Sequence, residues 1–267
     1  MHRALAITQT ELRRRKMYLL WWGVGIVALT AFTVLAYGSI KNQADQLNKA
    51  FSGLSSTAGS FFGTNDMFTP VGYLNSQLYY ITLPILFIIL SVTLSSSLTS
   101  KEERHHTLEL LLARPVSRTR LLLAKILAAD IIVVILGVVT AVSVLVCSLL
   151  IKLDISAMHI VLATVWMILF SGAFGAVAFM LYTASSLTRR AAAAVAILLS
   201  LGGYILTSIG SLVHGLSWVS KLLPYHYYNP GAILEGYVSG GLVLYIAGMF
   251  AVALVVSVVG FRRRDID

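Results

Sequence analysis

The chain has 267 residues, of which 58% are hydrophobic and only 12% charged, and it carries a formal net charge of +9 with one cysteine. A mean hydropathy of +0.85 excludes a water-soluble enzyme, and the apolar excess with a lone Cys147 excludes disorder, collagen-like repeats and a disulfide scaffold. In a soluble protein the charge would suggest nucleic acid; here a membrane reading comes first and no nucleic-acid partner is expected.

A bilayer core roughly 30 Å thick needs about 20 apolar residues at 1.5 Å each. Six stretches qualify: 17–39, 79–98, 121–151, 158–187, 191–213 and 242–260. The sequence therefore predicts an all-α polytopic membrane protein with six transmembrane helices and a single domain over 1–267. Residues 1–16 place Ala4, Leu5, Ile7 and Leu12 around Glu11 and a basic cluster, as in an elbow helix on the membrane surface. The first span follows Arg13, Arg14, Arg15 and Lys16 as a signal peptide does. Its apolar run is too long for a signal core, so it is read as retained.

Alternate connections differ sharply in charge. Sixteen of the 20 basic residues fall on the side of both termini, against Lys41, Lys49, Lys152 and Lys221 on the other. Positive charge stays on the cytoplasmic side, which predicts cytoplasmic termini and attraction to lipid phosphates of the cell membrane.

The outer segment 40–78, rich in Ser, Gly and Asn, reads as a small, partly helical cap. Residues 152–157 form a hairpin turn. The second outer segment, 214–241, combines Trp218, Tyr225, Tyr227, Tyr228 and Tyr237 with Pro224 and Pro230. That mixture suits an interfacial or re-entrant element, with plain anchoring favoured over substrate gating.

The cytoplasmic connection 99–120 carries the strongest local pattern. Ser100 and Glu103 fit a capping box, Leu108, Leu111 and Leu112 recur at helical spacing, and Pro115 ends the run. Ser117 can cap the helix that becomes the third span. A brief amphipathic helix of this kind suits docking into a groove on a soluble partner, or lying on lipid; spacing alone leaves both open.

No P-loop occurs, since no Gly-Lys pair exists, so this chain cannot itself use that device on ATP. Neither Gly-x-Ser-x-Gly nor His-Glu-x-x-His is present, and adjacent His105 and His106 point about 100° apart on a helix. No catalytic residue and no metal site are expected. Asp130 is the one ionisable residue away from the span ends, and the stretch 121–151 is long enough to leave it near the cytoplasmic surface. Near Lys125 it suits positioning the helix better than carrying protons. Ser91 to Ser100, with Gly172, Gly175 and Ala176, read as helix-packing residues.

Around this connection the chain resembles the permease subunits of ABC-2 type ABC transporters, an exporter-like family. Glu103, then Thr107-Leu108-Glu109-Leu110-Leu111, then Arg114-Pro115-Val116-Ser117-Arg118, then Ala124-Lys125 stand in the family's order, and Phe261-Arg262-Arg263-Arg264-Asp265 resembles its tail. The family's glycines before Thr107 and Lys125 are His106 and Ala124 here. The resemblance implies that residues 108–115 are a coupling helix seated in a separate ABC ATPase subunit. Thr107 and Pro115 would bound it, Leu108, Leu111 and Leu112 would supply its apolar contact, and Glu103 and Glu109 its charge partners. Arg114 and Arg118 would anchor it to the ATPase or to lipid. It also implies a permease homodimer, with ATP and magnesium held by the partner and no cofactor on this chain. The competing function is a membrane anchor or force-transmitting part of an ATPase-driven assembly that moves no cargo.

Overall fold

The computed structural model describes residues 15–51, 55–97, 118–185, 187–210, 212–213 and 217–263. Among them there is no strand, and six helical stretches are long and apolar enough to cross a membrane: Lys16–Phe51, Pro70–Ser95, Leu127–Leu150, Ala157–Ala184, Arg189–Gly210 and Gly240–Gly260. The all-α, six-span architecture expected of the sequence is the one observed.

The long helices are α1 (Lys16–Ile40), α5 (Thr82–Ser97), α6 (Arg118–Leu150), α7 (Ala157–Ala184), α8 (Arg189–Gly210) and α12 (Gly240–Arg263). Short helices fill two connections at one end: α2 (Ala44–Phe51), α3 (Ser55–Phe62) and α4 (Pro70–Leu74) in the first, α9 (Ser217–Ser220), α10 (Pro224–Tyr227) and α11 (Pro230–Leu234) in the second. This is the cap end. The other is the basic end, where Lys16, Arg118 and Arg189 each open a long helix.

Helix α7 is the centre of the bundle and packs on α5, α6, α8 and α12. Its small residues permit this: van der Waals contact drives helix association in lipid, and small side chains let backbones approach. At Gly175 an added Cβ would come within 2.9 Å of Ser91 Cβ and 3.2 Å of the Ser91 carbonyl carbon on α5. Hydroxyls inside the spans turn back on their own helices, as hydrocarbon offers no water to bond. Thr140 donates to Leu136 O at 2.8 Å, Thr164 to Ile160 O at 2.9 Å and Thr183 to Phe179 O at 3.0 Å.

Helix α1 lies at the periphery and packs chiefly along α6. The two run parallel in one constant register of 113 residues. Gly23 faces Leu136, Thr30 Oγ1 lies 2.6 Å from Ser143 Oγ, and Gly38 faces Ile151. Steps of seven or eight residues keep one face in contact, as in a coiled-coil seam. At the cap end Lys41 Nζ donates to Ile151 O at 2.8 Å, placing a cation at the α6 C-terminus.

The second span starts earlier than its hydropathy suggests. Thr69 accepts from Gly72 N at 3.1 Å and caps α4, Pro70 takes its first turn, and a π-turn over Asn75–Tyr79 leads into α5. Asn75 is buried there because its Nδ2 donates to Gly63 O at 3.0 Å. Gly63 has φ +71°, and a Cβ on it would lie 2.6 Å from the Tyr80 ring, so backbone and neighbour both require glycine.

Candidate functional site

Glu103, Thr107, Leu108, Glu109, Leu111, Leu112, Arg114 and Pro115 lie outside the described residues, as does the elbow over 1–14. Arg118 is the first residue of α6, with its side chain outside the description. The flanks of the connection are described. It leaves α5 after Ser97 and enters α6 at Arg118, and these two helices pack on each other and on α7. At the same end the Arg189 guanidinium lies 5.6 Å from the centre of the Tyr182 ring, a cation-π contact that holds the α7 and α8 ends together.

The cap end is built from tyrosines. Pro224 and Pro230 each start a one-turn helix, and Asn229 caps the second by accepting from Ala232 N at 3.2 Å. These turns point Tyr225 and Tyr228, three residues apart, in the same inward direction. Tyr228 stacks on Phe170 with ring centres 4.2 Å apart, and Tyr225 meets the same ring edge-on at 4.9 Å. Phe170 lies eleven residues beyond His159, whose Nδ1 pairs with Leu234 O at 3.0 Å. The tyrosines therefore reach about 16 Å down α7 from that point.

The segment thus divides its aromatics. Trp218 and Tyr237 are 65% and 66% exposed, whereas Tyr225 and Tyr228 are 2% and 1% exposed. The segment expected to be interfacial or re-entrant therefore carries both exposed rings and a pair packed inside the bundle. Their partner Phe170 is 55 or more residues away in sequence, so local pattern could not reveal it. Tyr228 donates to Tyr79 O at 2.9 Å; the Tyr225 hydroxyl approaches Ser200 without a hydrogen bond of normal geometry. Burial pushes both hydroxyls above the ordinary tyrosine range. Tyr80, Thr207, Lys221, Tyr225 and Tyr228 line a cavity of about 440 Å³ at this end.

A second cavity, of about 350 Å³, opens between α5, α6, α7 and α12 within the membrane-spanning part. Ser91 and Ser95 come from α5, Asp130 from α6, Gly172 and Gly175 from α7, and Phe250 and Ser257 from α12. In the sequence Ser91, Ser95, Gly172 and Gly175 read as packing residues and Asp130 as one that positions its helix. Only the bundle brings the acid and the serines to one hollow. Among the described residues no three His, Cys, Asp or Glu side chains gather as a metal site, and Cys147 is buried as a small apolar residue.

No curated protein and no solved structure matches the chain. The sequence model of one family, described as ABC-2 family transporter protein, matches residues 5–266. That match runs through all six spanning helices and the connection between α5 and α6. The chain belongs to the ABC-2 transporter family, as a membrane permease component of an ABC transporter.

Proposed function

We propose that two copies of this chain and two copies of a separate ABC ATPase subunit form an exporter in the cell membrane, with both permease termini in the cytoplasm. The family match over 5–266 carries the reading, because it includes the whole connection that resembles a coupling helix. In this mechanism residues 108–115 sit in a cleft of the ATPase. Leu108, Leu111 and Leu112 fill the cleft, Glu103 and Glu109 meet basic groups on the motor, and Arg114 and Arg118 hold the ends against the motor or lipid. Closure of the ATPase pair on ATP and magnesium, both bound by the partner, pushes this segment.

The packing of α5 on α6 supports the coupling, because a push on their connection acts directly on two neighbouring helices and, through them, on central α7. Alternate tilting of these helices opens a path between the two permease copies toward the outside.

The test is Leu112→Asp, co-expressed with the host's ABC ATPases. A charge in the cleft costs several kcal/mol if it stays buried and unpaired, so the variant should insert normally yet lose its ATPase during detergent purification. Unchanged retention would show that the segment lies on lipid. ATP-dependent accumulation of cargo in inside-out vesicles distinguishes export from force transmission without cargo.

A further inference from the structure

A carboxylate at membrane depth is tolerated where its charge is compensated. Asp130 lies three residues inside the apolar stretch Leu127–Leu150. It borders the 350 Å³ cavity and is exposed, and no described side chain gives it a cation or a hydrogen-bond donor; the side chain of Lys125, five residues before it, lies outside the description. Ser91 lines the same cavity; it is only 5% exposed, and its Oγ has no hydrogen-bond partner. A buried hydroxyl left unpaired is destabilising unless something binds it.

The walls are graded along the bundle axis. Helices α5 and α12 run toward the basic end, so Ser95 and Ser257 lie nearer that end than Ser91 and Phe250. Helix α6 runs the other way, so Val134 lies one turn further in than Asp130, and Leu169 of α7 is deeper than Phe179. The acid and outer serines thus occupy the shallow part and Val134, Leu169 and Phe250 the deep part. Val134 and Leu169 are exposed on the outer wall, which opens the hollow toward lipid.

We infer that this cavity binds a single-chain aliphatic ammonium ion. The head donates to the Asp130 carboxylate and Ser91 Oγ, and the chain runs inward along Leu169 and Phe250. The size agrees: at ~30 Å³ per non-hydrogen atom, 350 Å³ holds about a dozen such atoms. That is one medium-length amine and far less than a two-chain lipid. The volume lies at the small end of ligand pockets, whose usual make-up is apolar walls with a few convergent polar groups. This binding is independent of the coupling mechanism proposed above and of any ATPase.

The test uses the purified full chain in phosphatidylcholine nanodiscs, with radiolabelled dodecylamine as the probe and empty discs as the blank. Equilibrium dialysis should show one saturable site per chain. Unlabelled dodecylamine should displace the label, and dodecanol at the same concentration should not. Asp130→Asn should weaken saturable binding at least tenfold with elution profile and thermal unfolding unchanged. Val134→Trp, which fills the hollow from its lipid side, should abolish it. Adding phosphatidylethanolamine to the discs should leave the probe's affinity unchanged; competition by that lipid would overturn the single-chain assignment. Equal binding by Asp130→Asn, equal displacement by dodecanol, or no saturable component above empty discs would overturn the site. If Asp130→Asn does not fold, the amine and alcohol comparison on the native chain decides.

Discussion

Thr30 and Ser143 face each other across the α1 and α6 seam with their hydroxyl oxygens 2.6 Å apart. The Thr30 hydroxyl also donates to Ile26 O at 2.8 Å, which leaves Ser143 as the donor between the two side chains. Removal of the acceptor should therefore cost more than removal of the donor. Thr30→Val is expected to destabilise by about 0.6 kcal/mol, with a ceiling of ~1.7, and Ser143→Ala by less. Equilibrium unfolding of both single variants and the double variant in detergent checks this. The double variant should cost no more than Thr30→Val, whereas simple additivity would show that the hydroxyls do not interact.

Two glycines of α12 give opposite expectations. A Cβ at Gly260 would lie 2.7 Å from Thr183 O and 2.9 Å from Ala184 Cα, both backbone atoms of α7. A Cβ at Gly248 meets nothing within 4 Å. Gly260→Ala must push α12 off α7, at a cost of about 1–3 kcal/mol. Gly248→Ala should be neutral or gain up to ~1 kcal/mol from helix propensity. Thermal unfolding of the two variants side by side measures the difference; matching shifts would contradict the close approach at Gly260.

Tyr228 and Tyr225 are both buried beside Phe170, but only the first has its hydroxyl in a good hydrogen bond. Tyr228→Phe should cost about 1 kcal/mol, since it strips Tyr79 O of a donor. Tyr225→Phe should change stability by less than ~0.5 kcal/mol or raise it, because the buried hydroxyl that it deletes contributes little. A larger loss at position 225 would point to a bridging group at Ser200.

The same pair makes stability fall in alkali. Burial raises both hydroxyls above their ordinary value of 10.0, so the folded chain holds protons that the unfolded chain releases near that pH. The unfolded state then binds fewer protons, and the free energy of unfolding decreases as pH rises. The contribution is present in full below about pH 10 and is lost as pH climbs through the raised values. Melting temperatures of the native chain and a Tyr225→Phe, Tyr228→Phe double variant, followed between pH 8 and 11, should show the shallower decline in the variant.

Spans whose helices are apolar throughout were legible in the sequence to within a few residues. The stretch expected over 17–39 is helix Lys16–Ile40, and that over 158–187 is Ala157–Ala184. Length and hydropathy settle these cases because hydrocarbon imposes them. The second span was read as starting at 79, yet its helical stretch begins at Pro70. Asn75, Ser76 and Gln77 depress local hydropathy, and the bond from Asn75 to Gly63 O that permits burial spans twelve residues. The inward placement of Tyr225 and Tyr228 was not legible for a related reason: amphipathic rings fit a headgroup belt and a packed core equally well, and Phe170 decides between them. Asp130 and the Ser91 group were visible one at a time. Their convergence is a property of four helices. The proposed coupling residues between Glu103 and Pro115 rest on order and spacing in the sequence, and they lie outside the described residues.

The seam between α1 and α6 has a mechanical consequence. Leu136, Ser143 and Ile151 are gripped by Gly23, Thr30 and Gly38 at one unvarying offset. Sliding either partner lengthwise would unseat all three at once, so the pair behaves as a single splint rather than as two rods. Helix α6 enters the pair from Arg118 at the basic end, and the seam finishes under Lys41. A tug at the foot of this 33-residue helix is therefore felt at its head, without any joint in between to absorb it.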